Sequence, residues 1–270
     1  SISADSAQIA VAAAAAKACV ETARPVTHLG VGEARVDKVA SNRRILGPDG
    51  RVAIARSSSY RIPEPILSKL NAEAKKQGYE LSASRVEEAL AAPEGVIDPL
   101  LKMITFYEGE QPIVSLSYYA THPQSHFGKG DVTSEFVGLA RAKHEREHDG
   151  RLLVHFNGAS GNVAAGKYND GTPELRVVLT DRMADGMQRA WAATKRTPIT
   201  AADCEWRVQP VDLPLPSYLD ADKLRATLEN STATEAERLT SAAKLAYVLR
   251  RKEGRPIELS CLKLGRTYLV

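Results

Sequence analysis

The side chains whose types and spacing could do chemistry gather between residues 112 and 168. Two strand-like runs in this stretch end abruptly in small, polar, turn-forming residues. The first delivers His122 within Ala120-Thr-His-Pro-Gln-Ser125. Pro123 holds the residue before it in an extended or turn conformation, which orients an imidazole at a strand end. The second delivers Ser160 within Phe156-Asn-Gly-Ala-Ser-Gly-Asn162, where glycines permit φ > 0 and close approach of a substrate. Reactive side chains at the ends of buried strands are a common way for α/β enzymes to build a site, because the strands fix position and the loops leave access. Taken singly, each signal has an ordinary explanation. A lone histidine is more often a satisfied structural residue, and a Gly-rich turn after a strand is often only a turn.

Two further patterns spell known motifs. His144-Glu-Arg-Glu-His148 matches HExxH letter for letter, the zinc-binding helix pattern of metalloproteases. That pattern works on a helix with an apolar face, and here it is embedded in RAKHEREHDG, polar on every side. The expectation is a solvated charged face. Gly161-Asn-Val-Ala-Ala-Gly-Lys167 approaches a phosphate-binding loop, and it follows a strand. Tyr168 stands where a Ser or Thr would hold magnesium, and Asn169-Asp-Gly-Thr-Pro173 breaks the helix whose N-terminus should cradle phosphate. Nucleotide binding through Gly161 to Lys167 is thus a secondary alternative.

The elements that must position these residues are legible in the pattern. Residues 9–23 are Ala-rich with good helix formers, and Pro25 lies just beyond. Residues 26–36 alternate as a strand with a Gly-marked irregularity, and 47–50 are a turn. Residues 51–92 are polar and punctuated by proline, with helices expected over 64–77 and 84–91. This segment reads as an insertion or a lid. Strands over 100–107 and 113–119 flank a hairpin loop. A helix over 134–148 ends at Asp149-Gly150, and a short buried strand follows over 152–156. A long amphipathic helix covers 174–194, and an alternating strand covers 201–213. Two charged helices within 220–251 break near Asn230-Ser231, and a hairpin closes the chain from 257. Interleaved helices and strands together with hairpins predict an α/β fold, a mixed sheet covered by helices, in a single domain over 1–270.

Composition narrows the class. The 270 residues are 43% hydrophobic and 26% charged, ordinary for a globular protein. No apolar run reaches the ~20 residues that span a bilayer, so no transmembrane segment is expected. The net charge of +3 comes with no clustered basic, aromatic-rich face, which argues against a nucleic-acid partner. Cys19, Cys204 and Cys261 are far apart and form no metal-binding spacing, so they read as reduced thiols. The chain begins at Ser1 without Met and stops at Val270 inside a strand-like run, which reads as a fragment.

In order, these pieces resemble the catalytic domain of the neutral/alkaline, non-lysosomal ceramidase family. Ser41-Asn-Arg43 resembles the family's Asn-Arg-Ser-Pro segment, with Arg44 in place of the Ser. Ser117 to Ser125, SYYATHPQS, resembles its WFAVHPTS strand and turn. The helix start Ser134-Glu-Phe-Val-Gly-Leu-Ala140 resembles SxDNKGYA, with Glu135 where the family has Asp. Asn157-Gly-Ala-Ser-Gly-Asn162 resembles GDVSPN, keeping Ser160 and Asn162 and losing the Asp and the Pro. The resemblance implies a zinc-dependent amidase that cleaves ceramide or a ceramide-like N-acyl lipid to a fatty acid and a sphingoid base. It implies His122 as one zinc ligand and Ser160 as the active-site serine, either nucleophile or carbonyl-positioning group. Arg43 would sit near the polar head of the substrate, with Asn162 beside it. The family's other zinc ligands, a His-x-His segment, a Glu and a Tyr, are expected outside this segment, so the chain alone should be inactive. The resemblance also implies a lipid-amide substrate met at a membrane surface, and export to the periplasm or beyond. A non-catalytic relative that kept the fold is the other alternative.

Overall fold

A computed structural model describes residues 6–60, 68, 72, 75, 84–126 and 132–270. Apart from residues 68, 72 and 75, the helix expected over 64–77 lies outside the described residues, as does nearly half of the segment read as an insertion or lid. The chain divides into two compact units, residues 1–199 and 200–270, where the sequence suggested one domain.

In the first unit, helix α1 (Ser6–Glu21) is exposed along its length. Strand β1 (His28–Arg35) is followed by three short strands, β2 (Ser41–Asn42), β3 (Arg44–Leu46) and β4 (Val52–Ala55), and by helix α2 (Ser84–Ala91). Then come β5 (Leu100–Glu108), β6 (Gln111–Tyr119), α3 (Glu135–Glu147), β7 (Leu153–Asn157), β8 (Val163–Ala164), α4 (Pro173–Ala192) and β9 (Lys195–Pro198). The main sheet has the order β7-β6-β5-β1-β9. Its pairs are antiparallel except β6 with β7, which run parallel. A parallel pair needs a crossover, and α3 supplies it. The fold class is therefore the mixed sheet with helices that the pattern predicted.

The core lies between this sheet and helices α3 and α4. Leu101 and Met103 of β5, Tyr119 of β6, Phe136 and Ala140 of α3, and Leu179, Met183 and Met187 of α4 are all buried in one cluster. The α4 positions recur at helical spacing and form one stripe, as the sequence predicted. Each such large side chain contributes about 1.5–3 kcal/mol by leaving water. Two glycines of β1 have a role the sequence left ambiguous. β1 pairs with β5 in an unbroken register, so they mark no bulge. Instead a Cβ on Gly32 would fall 2.1 Å from the carbonyl oxygen of Ala190, so glycine here lets β1 reach the end of α4.

The second unit opens with a 3-10 turn (Ala201–Asp203) and holds β10 (Cys204–Val211), α5 (Ala221–Glu229), α6 (Glu235–Lys252), β11 (Ile257–Leu264) and β12 (Thr267–Leu269). β10, β11 and β12 form an antiparallel sheet. Asp220 caps α5, and Thr234 with Glu237 forms a capping box on α6, so the break expected near Asn230-Ser231 is present. The three cysteines are free.

Candidate functional site

The parallel pairing of β6 and β7 decides what lies beside what. Tyr119 and Asn157 are partners at the last rung. His122 and Ser160 each come three residues later in the chain, so both turns leave the same end of adjacent strands. The backbone then closes the gap. The N–H of His122 donates to the carbonyl of Val163 at 2.9 Å, and His122 forms an isolated bridge with Ala164.

The imidazole of His122 is half-buried, and its Nδ1 lies 2.7 Å from the carbonyl oxygen of Ser160 and 3.2 Å from that of Val163. A carbonyl oxygen only accepts, so Nδ1 carries the proton and Nε2 presents a lone pair. The ring is thereby fixed by a backbone carbonyl, as the rings of metal-binding histidines commonly are. The Ser160 hydroxyl has no hydrogen-bond partner among the described residues and is partly exposed, and the Ser160 carbonyl also accepts from the N–H of Val163 at 2.9 Å.

The segment after β1 joins this turn through β2, which pairs with β8. Asn42 Oδ1 accepts from the Asn162 amide at 2.7 Å and from the backbone N–H of Arg44 at 2.8 Å. Arg44 donates from Nη1 to Asn162 Oδ1 at 2.8 Å, and the Arg43 N–H donates to the Asn162 carbonyl at 2.8 Å. Both ends of the Asn162 side chain are thus already bonded within the protein. Arg43 is half-buried and its guanidinium has no partner among the described residues. So the turn is brought to His122, Ser160, Asn162 and Arg43 together, with Asn42 and Arg44 as struts that sequence reasoning did not single out. Arg44 had registered only as a departure from the family pattern.

Glu135 holds the other side of the His122 turn. Its carboxylate accepts from the N–H groups of Ser125 at 2.9 Å and His126 at 3.1 Å, and from the Ser125 hydroxyl. To reach them Glu135 adopts φ 57, a left-handed backbone that costs a non-glycine residue of the order of 1 kcal/mol. The carboxylate position noted in the sequence therefore shapes the loop.

Lys167 is committed elsewhere than to phosphate. Its ammonium donates to the carbonyls of Leu90 and Ala92. Buried Arg56 joins it there, donating to Asn42, Ala89, Ala92 and Pro93 carbonyls. Two cations thus satisfy the carbonyls at the end of α2 and oppose the negative end of its dipole. Burial lowers the pKa of both groups, and the Arg56 charge lowers that of Lys167 further. Tyr168 donates to Glu94 at 2.5 Å, and burial followed by that bond pushes its pKa up to about 12. The segment 161–167 contains β8 and opens no helix, so it lacks the N-terminus that a phosphate loop needs.

The HExxH segment departs from expectation in burial. His144 is 3% exposed, not solvated, and its ring meets Trp191 edge-on at 5.9 Å and His148 at 4.3 Å. Its neighbours explain this, because α3 packs its Phe136, Val137, Ala140 and His144 side inward. Burial, then repulsion from His148, pulls the His144 pKa down to about 4. Glu145 is occupied by the N–H of Leu153 at 2.9 Å. Among the described residues no group of three or more His, Cys, Asp or Glu converges to hold a metal ion. His122 has the right donor for one ligand position of zinc, and the described residues do not complete the set. No helix among them is long and apolar enough to cross a membrane.

No family model matches this chain, and no curated protein matches it. Solved structures do. One is a ceramidase complexed with C2, at 15% identity over 69% of this chain and 25% of that one, with a TM-score of 0.36. Another is the neutral ceramidase from Pseudomonas aeruginosa, at 13% identity over 90% of this chain and 39% of that one, with a TM-score of 0.43. The chain spans about a quarter and about two fifths of the lengths of these two ceramidases. It is similar to a region of their fold, and the chemistry has to rest on the geometry of the turns.

Proposed function

We propose that this chain supplies part of the site of a ceramidase-like, zinc-dependent hydrolase of N-acyl amides, with a ceramide-type lipid as substrate. The observation that carries the reading is the His122 Nδ1–H···O=C bond to Ser160. It fixes an Nε2 lone pair and a free serine hydroxyl on turns that leave neighbouring strand ends. In this reading Nε2 of His122 is one ligand of the metal, and Ser160 is the catalytic serine, as nucleophile or as the group that positions the carbonyl. Arg43, whose guanidinium has no partner among the described residues, takes the polar head of the substrate. Asn162, braced by Asn42 and Arg44, holds the turn at substrate distance. Bound zinc would supply Lewis-acid polarisation of the amide carbonyl or of a water. A single imidazole cannot hold zinc at useful affinity, so further ligands must join His122, and the chain alone is expected to be inactive. A lipid amide also implies contact with a membrane surface from outside the bilayer, and export remains part of the proposal.

Zinc content of the full gene product, measured beside its His122→Ala variant, tests this. About one zinc per chain, lost in the variant together with cleavage of a short-chain N-acyl sphingoid base, is the expected result. Zinc retained in the variant would remove His122 from the metal. No zinc and no cleavage in either protein would leave the fold as a non-catalytic relative.

A further inference from the structure

An open cavity of ≈260 Å³ lies on the other side of the His-Pro turn, lined by Pro123, Ser134, Val137, Gly138, Arg141, His155 and Asn157. Two of its polar side chains, Arg141 and His155, turn donors to it, beside the hydroxyl of Ser134 and the amide of Asn157. Arg141 can only donate, and its buried Nε finds no hydrogen-bond partner among the described residues. The buried Nε2 of His155 is likewise unpartnered. The opposite nitrogen, Nδ1, lies 2.8 Å from the hydroxyl of buried Ser117. That hydroxyl has no other partner among the described residues, so it is satisfied by donating to Nδ1, which leaves Nε2–H as a donor. Burial, then the nearby Arg141 charge, holds the His155 pKa down at about 4, so this ring is neutral near pH 7. The cavity also sits against the first turns of α3, whose positive dipole end favours an anion. Ser134, at the N-cap, makes no side-chain capping bond. Unsatisfied buried donors are costly, about 1–3 kcal/mol each, and two at one cavity call for an acceptor.

We propose that this cavity binds a small monocarboxylate, with Arg141 and the His155 N–H holding its oxygens. The charge balance selects the ligand. Among the described residues Arg141 is the one cation in the lining, and Glu145 lies 3.9 Å from its Nε on the same helix. Glu135, at the start of α3, has its oxygens occupied by Ser125 and His126. One partly offset positive charge fits a singly charged carboxylate better than a phosphate dianion. Pro123, Val137 and Gly138 give an apolar wall for a short alkyl chain, and the volume equals that of roughly nine waters in the liquid. The site does not depend on the amide-hydrolase reading.

Calorimetric titration of the whole protein with butyrate, butyramide and inorganic phosphate tests it. Butyrate is expected to bind about ten-fold or more tightly than butyramide, its neutral analogue, as for hydrogen bonds to a charged group. Arg141→Gln and His155→Phe should each weaken butyrate by a similar factor, with folding checked by thermal melting. Butyramide binding as well as butyrate, phosphate binding more tightly than butyrate, or no butyrate binding at millimolar concentration would each overturn the proposal. The comparison of ligands on the unmodified protein stands even if a variant fails to fold.

Discussion

His122 and His144 stand in two regions that the sequence ranks in the wrong order. His144 belongs to a complete five-residue metal motif, and His122 belongs only to a His-Pro turn whose likeness to a family segment is partial. Yet His144 is sealed against Trp191 within the packing of α3 and α4, while His122 is half-buried with Nδ1 held by a carbonyl and Nε2 left available. A metal motif is a statement about spacing along a helix. Ligation requires that the same helix face a space where other ligands can converge, and the inward face of α3 meets packed side chains. The difference teaches that the tautomer and the surroundings of an imidazole matter more than its spelling.

The sharpest way to break this comparison is to disturb the His122 side. A Cβ on Gly166 would lie 1.7 Å from the carbonyl oxygen of Ser57, which is backbone and cannot swing away. Gly166→Ala should therefore cost about 3 kcal/mol or more, read as a lowered urea midpoint. An unchanged midpoint would mean that the segments around 57 and 166 are not packed as described.

The His144 side is tested by acid. Its folded pKa, about 4, lies below the ~6.5 of an unfolded chain, so the unfolded state binds more protons as pH falls between these values. Stability is then fully kept above about pH 6.5 and lost toward pH 4, by up to about 3 kcal/mol from this ring. Denaturation curves across that range should flatten in His144→Gln. Equal slopes in both proteins would show that His144 does not titrate as a buried neutral group.

A smaller effect is expected at the strut. Asn42→Ala removes the acceptor shared by Asn162 and the Arg44 N–H, at about 1–2 kcal/mol. In the proposed enzyme, cleavage of a short-chain amide should fall further than stability does, because Asn162 and its turn lose their brace. Activity that merely tracks the folded fraction would reduce Asn42 to a structural residue.

The smallest effect on folding is expected at His122 itself. His122→Ala deletes one side-chain hydrogen bond from a half-buried ring, so stability should drop by about 1 kcal/mol while any bound metal is lost. A loss of stability as large as that of Gly166→Ala, with metal content intact, would make His122 a structural histidine and bring the two imidazoles into one class.

Periodicity along the chain was enough for most elements. The α4 stripe, the β5–β6 hairpin, the break between α5 and α6 and the closing strands follow from local patterns of apolar and turn residues. Local pattern also placed His122 and Ser160 just beyond strand ends, because proline and glycine punctuate the ends of the strands that carry them. Pairings between distant segments were beyond it. β2 and β8 are two residues each, too short for a periodic signal, and their pairing joins residues 41–42 to 163–164. Asn42, Arg44 and Arg56 matter through partners far away in the chain, so nothing beside them in the sequence marks their roles. Likewise Lys167 is read locally as a phosphate ligand until α2 is seen to present its carbonyls. The sequence by itself determined which residues lie at strand ends, since backbone preference is local. Only the tertiary structure decided which nitrogen of His122 is free, where Lys167 donates and that His144 is buried, because burial and hydrogen-bond partners are set by packing between segments far apart in the chain.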